Sequence, residues 1–145
     1  MDIQLGDVSH IIQLAIAPVF LLTGVGTKLT VLTNRLGRII DRSRMLEDRM
    51  NATSATDPID QAEINVLYRR GHLINRAIAL STTCGLLVCL VIATLFVGDA
   101  FALALGKFIA SLFVLAMLSL IGSFYYFMRE IFIATTTLTM RRVTS

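Results

Sequence analysis

The sequence predicts an all-α membrane protein with three transmembrane helices, and two observations predict it. Segments 8–27, 77–98 and 108–128 contain no Asp, Glu, Lys or Arg. Each is close to the ~20 residues that a helix rising ~1.5 Å per residue needs to cross ~30 Å of hydrocarbon. Hydrophobic residues make up 55% of the 145 residues and the mean hydropathy is +0.74, more apolar surface than a soluble chain of this length encloses. Strand-like alternation is absent, and among open structures only helices satisfy every backbone polar group in lipid, so the spans are expected to be helical.

The first span is placed at about 8–32. Asp2 and Asp7 precede it in place of the basic residues of a secretory signal, so it is expected to be retained. Beyond it, Leu36, Ile39, Ile40, Leu46 and Met50 recur at helical spacing, while Arg38, Asp41, Arg44 and Asp48 set opposite charges three or four residues apart on the other face. Small polar residues at 51–56 interrupt this pattern. Asp57 and Pro58 then supply a helix cap and a residue suited to the first helical position. The seam Ile64, Leu67, Gly71, Ile74 and Ile78 leads into the second span at about 77–98. Segment 34–76 is therefore expected to form an antiparallel helical hairpin with arms of roughly 25 Å. Gly98 and Asp99 are expected to make the next turn, with 100–106 at the interface or opening the third helix. The third span is placed at about 107–128, and a tail at 129–145. Ile131, Phe132 and Leu138 keep an apolar periodicity in that tail, so the third helix is expected to emerge into the cytoplasm; Thr135, Thr136 and Thr137 weaken that expectation, because β-branched residues lose side-chain freedom in helices. The whole of 1–145 reads as one three-span domain.

Charge gives the orientation. Lys28, Arg35, Arg38, Arg42, Arg44, Arg49, Arg69, Arg70 and Arg76 fall between the first two spans, Arg129, Arg141 and Arg142 follow the third, and Lys107 alone is left for the other side. Short loops rich in Lys and Arg stay in the cytoplasm, so the hairpin and the carboxyl terminus are expected inside and the amino terminus outside. The net charge of +3 then reflects topology and contact with anionic lipid. Nucleic-acid binding is not expected, since the arginines alternate with acids and no aromatic platform accompanies them.

The first span carries the most specific polar pattern. Gln13, Ile16, Phe20, Thr23, Thr27, Thr30 and Asn34 follow alternating spacings of three and four, which puts them on one helical stripe. One reading is packing, with the hydroxyls bonded to the backbone or across a helix interface at ~0.6 kcal/mol each. The other is a pore lining, with hydroxyls as weak ligands and Ile16 and Phe20 as an apolar constriction. Lys28, Arg35, Arg38, Arg42 and Arg44 are expected to form a cytoplasmic basic surface. Ala77, Ser81 and Gly85 in the second span, and Ser119, Gly122 and Ser123 in the third, are small residues that permit close helix approach. Three helices in one chain do not need so many close-contact faces, so a homo-oligomer, most simply a cyclic ring, is expected.

Catalytic signals are sparse. Cys84 and Cys89 are five apart on different faces of one span, so they suggest neither a disulfide nor a metal site and are expected in the core. No nucleophile, base and orienting group occur together, so the chain is not expected to be an enzyme, and neither a cofactor nor a metal is expected.

The run DVSHIIQLAIAPVFLLTGVG at 7–26, with LTNRLGRIIDR at 32–42, resembles the small bacterial membrane proteins grouped as domain of unknown function 2721. The resemblance extends over essentially the whole chain. It implies a three-span protein of the bacterial inner membrane with no assigned activity, and it carries over no catalytic residues. In topology the chain is also similar to the proton-channel subunits of the TolQ, ExbB and MotA motor family, which form pentamers. Two classes of function follow: an ion channel lined by the first span, or a non-conducting scaffold or accessory subunit whose hairpin docks a protein partner.

Overall fold

The computed structural model describes residues 5–53 and 57–143. It contains three helices: α1 at Leu5–Thr53, α2 at Pro58–Ala100 and α3 at Gly106–Val143. Their 49, 43 and 38 residues correspond to about 73, 64 and 57 Å at helical rise, each well beyond the ~30 Å of a bilayer core. All three carry a stretch long and apolar enough to cross a membrane. The protein is a multi-pass membrane protein.

The helix ends follow from local chemistry. At the start of α2 the Asp57 carboxylate accepts the Ile59 N–H at 3.0 Å, its carbonyl accepts the Gln61 N–H at 3.1 Å, and Pro58 occupies the position where a missing N–H costs nothing. The end of α2 departs from expectation. Gly98 and Asp99 remain helical, and the reversal falls at Ala102, with φ 48°. Its N–H donates to the Asp99 carbonyl at 3.1 Å while the Leu103 N–H donates to the Gly98 carbonyl at 2.8 Å, a Schellman closure that usually holds glycine at the left-handed position. At Gly98, inside the helix, a Cβ would stand 3.5 Å from Leu105 Cδ1, an ordinary contact.

Helix α3 runs on through the threonines, as the apolar periodicity of the tail leads one to expect. Thr136, Thr137 and Thr139 donate to the carbonyls of Phe132, Ile133 and Thr135 at 2.8, 2.8 and 3.0 Å. Bonding back one turn satisfies each hydroxyl inside the helix, which offsets the conformational cost of β-branching.

The chain divides into two compact units, Met1–Leu29 with Leu80–Ile121 and Thr30–Ala79 with Gly122–Ser145. In the first, Val25, Cys84, Val88 and Ala116 form the core, flanked by Leu21, Leu22 and Leu120. Gly85 leaves space filled to ordinary contact, 3.8 Å from a would-be Cβ to Val25 Cγ1. Cys89, expected in the core, is exposed; five residues turn it ~140° away from buried Cys84.

The second unit is built on Leu32, Ile39 and Leu46 of α1 against Ile64, Leu67, Ile74 and Ala77 of α2, with Tyr126 and Phe127 of α3 packed on that core. Ile39 lies beside Gly71 and Glu47 bonds to Tyr68, so rising numbers on α1 meet falling numbers on α2. The buried α1 positions Leu32, Ile39 and Leu46 are seven apart, the period of a coiled-coil seam.

Candidate functional site

The polar stripe of α1 lies away from the protomer's own packing. In the first unit Gln13, Ile16, Phe20, Thr23 and Thr27 are all exposed, Ile16 at 48% and Phe20 at 73%, whereas Ile11, Ala15 and Val25 are buried. In the second unit Thr30 and Asn34 are exposed while Leu32 is buried. At 100° per residue the stripe centres about 150° around α1 from the buried seam. Its hydroxyls are satisfied within the helix: Thr23 donates to the Val19 carbonyl at 3.4 Å and Thr27 to the Thr23 carbonyl at 3.0 Å. The hydroxyl oxygens keep acceptor capacity for an outside partner.

The small residues differ in burial on both helices. Ala77, Ser81 and Ser123 are fully buried, and Gly85, Ser119 and Gly122 are partly so. In the second unit Ser123 Oγ donates to the Ala77 carbonyl at 2.6 Å, so one hydroxyl ties α3 to α2.

The basic surface is less open than its composition suggests. Arg42 donates from Nε to Glu63 Oε1 at 2.8 Å, with Nη2 at 2.8 Å from the same oxygen. Arg35 turns its guanidinium over the Phe127 ring, 5.4 Å from the centroid, and brings Nη2 to 3.2 Å from Glu130 Oε2. Arg38 and Arg44 are exposed, Arg35 and Arg42 are about a third exposed, and Lys28, in the first unit, is partly buried. The pairing has a physical cause. Arg35 and Arg42 flank the buried seam at Ile39, close enough for carboxylates on the other helices to reach them.

The residue that organises this region is Glu130, which sequence reasoning overlooked among the charges ending the third span. It is fully buried. Arg70 donates to its Oε1 from Nε at 2.9 Å, with Nη2 at 2.8 Å, and Arg35 faces Oε2. A carboxylate removed from water is tolerated only with such compensation. A signal for it was present: Ala116, Ser123 and Glu130, all fully buried, are spaced by seven, so Glu130 continues the inward face of α3.

Beside this cluster, Arg35, Arg38, Arg42 and Arg70 line a cleft of about 330 Å³ with Ile39 and Leu67. Farther along, Tyr68 donates its hydroxyl to Glu47. That hydrogen bond, with the charge of the same carboxylate, raises the Tyr68 pKa above its ordinary value.

Residues 15–140 match the family described as protein of unknown function DUF2721. The chain belongs to that family. No curated protein and no solved structure matches it. The DUF2721 match includes Arg35, Arg70 and Glu130, and it includes the α1 stripe from Ile16 onward.

Proposed function

We propose that this DUF2721 protein assembles as a cyclic homo-oligomer in the bacterial inner membrane and that the Gln13–Asn34 stripe of α1 lines a narrow ion pathway. One observation carries the reading: every residue of the stripe is exposed on the protomer, on the face opposite the buried seam. Amides and hydroxyls facing lipid gain nothing there, whereas around an axis they face water and ions. Threonine hydroxyls that already donate to their own helix present oxygens to a cation. Phe20 and Ile16 supply an apolar constriction that gates by dewetting.

In this reading the amino terminus is outside, and segment 34–76 and the carboxyl terminus are cytoplasmic, in keeping with the placement of Lys and Arg. The topological likeness to the motor-linked channel subunits favours five copies. The protein has no catalytic role. Purified oligomer in a planar lipid bilayer should conduct ions, and Phe20→Ala should raise the conductance. Silent bilayers from intact oligomers would overturn the proposal.

A second reading, a scaffold that docks a protein partner through segment 34–76, is favoured by the exposure of Ile40, Met45, Ile59 and Tyr68 beside Arg38 and Arg44. Charge reversal at Arg38 and Arg44 should then abolish co-purification of that partner; unchanged co-purification would sink this alternative.

A further inference from the structure

The arginine cleft of the second unit has a use that neither conduction nor scaffolding requires. Arg35, Arg38, Arg42 and Arg70 surround about 330 Å³ over Ile39 and Leu67, a volume within the usual range for small-ligand sites. Two carboxylates serve these guanidiniums, Glu130 on Arg35 and Arg70, and Glu63 on Arg42. Among the described residues, Arg38 has no acidic partner within ion-pair distance. Four cations against two anions leave the cleft with an excess of two positive charges.

The carboxylates orient the cleft rather than fill it. Glu130 is buried and pairs with Arg35 and Arg70, and the Arg35 guanidinium also stands over the Phe127 ring, 5.4 Å from its centroid. Guanidiniums held in this way do not lose side-chain freedom again when a ligand arrives, and their planar forks match the oxygens of phosphate. A tetrahedral dianion takes several such forks and neutralises the excess charge. Arg35 stands eight residues beyond the end of the uncharged stretch at 27, about 12 Å along the helix, so both a lipid headgroup and a soluble anion have access.

We propose that this cleft is a binding site for a phosphate dianion, supplied either as the headgroup of a phosphomonoester lipid or as free phosphate. The test of this site does not depend on conduction.

The test uses the full-length protein in phosphatidylcholine nanodiscs, titrated calorimetrically with inorganic phosphate and with dioctanoyl phosphatidic acid. Arg38→Gln is compared with Arg44→Gln; both positions are exposed, and circular dichroism checks that the helices persist. The expected result is saturable binding of at least one probe, weakened about tenfold by Arg38→Gln and changed less than about twofold by Arg44→Gln. Binding of phosphatidic acid alone identifies a lipid headgroup, and comparable binding of inorganic phosphate identifies a soluble ligand. The proposal fails if neither probe saturates, if Arg38→Gln leaves binding unchanged, or if Arg44→Gln weakens it as much.

Discussion

Arg70 of α2 holds Glu130 of α3 through a single carboxylate oxygen, with Nε at 2.9 Å and Nη2 at 2.8 Å from Oε1. Both residues lie in the second unit, and the carboxylate they share with Arg35 has no solvent exposure. Removing Arg70 leaves this buried carboxylate with Arg35 alone, at a cost of up to about 3–5 kcal/mol. Arg70→Leu should therefore lower the denaturation free energy by up to that amount. Arg70→Leu combined with Glu130→Met should recover part of it, though Arg35 is then left unmatched. Equal stability of the wild type and Arg70→Leu in chemical denaturation would show that the pair contributes nothing.

The turn at Ala102 is where a single substitution should stabilise the protein. Ala102 has φ 48°, and an L side chain there costs about 1–2 kcal/mol that glycine avoids. Part of that gain is lost to the freer unfolded glycine, so Ala102→Gly should add up to about 1 kcal/mol. A lowered thermal midpoint would contradict this account of the turn.

Core truncation in the second unit should be costly. Leu46 and Ile74 are fully buried at seam positions, and Leu46→Ala or Ile74→Ala should destabilise by about 2–5 kcal/mol. Ile40→Ala, at an exposed position on the same helix, should cost much less. Denaturant titration of the three variants gives the comparison.

Assembly through the α1 stripe predicts a specific crosslink. In a Cys89→Ser background, Thr27→Cys should form disulfide-linked dimers on mild oxidation, because equivalent stripes approach one another around a narrow axis. Leu118→Cys, equally on the surface but on α3, should remain monomeric on a non-reducing gel. The reverse pattern would place the assembly interface elsewhere.

Tyr68 gives a pH dependence with a definite sign. Its pKa is raised from the ordinary 10.0, first by the hydrogen bond to Glu47 and then by the charge of that carboxylate. The folded state therefore favours the neutral phenol. The resulting stabilisation is fully present below the unfolded pKa and is lost as pH rises through the higher folded value. Phenolate absorbance, taken as the difference between wild type and Tyr68→Phe, should appear above the ordinary range. Glu47→Gln should bring it downward.

Much of the architecture was legible in the sequence because its causes are local or periodic. Uncharged stretches at 8–27, 77–98 and 108–128 announced three membrane-length helices. Asp57 and Pro58 announced the start of α2, since a cap and a fixed φ act within one turn. The alternating three and four spacing of Ile64, Leu67, Gly71, Ile74 and Ile78 marked the face that α2 turns toward α1. The α1 stripe was also visible as a pattern. Its exposure was not, because a period reveals which residues share a face and not what that face meets.

The remainder depended on distances between residues far apart in the chain. Glu130 reads as one more charge at the end of a span until Arg35 and Arg70 are brought beside it. Arg42 reads as a surface cation until Glu63 arrives from the facing helix. Ala102 takes the left-handed position although Gly98 lies four residues earlier, because α2 runs on to Ala100 before it closes. By itself the sequence determined helix content, number and membrane length, since hydrophobic length and local hydrogen bonding decide those. Only the tertiary structure decided which charges are buried and paired and which remain available, because burial and ion pairing fall off within a few ångströms and are set by packing between helices.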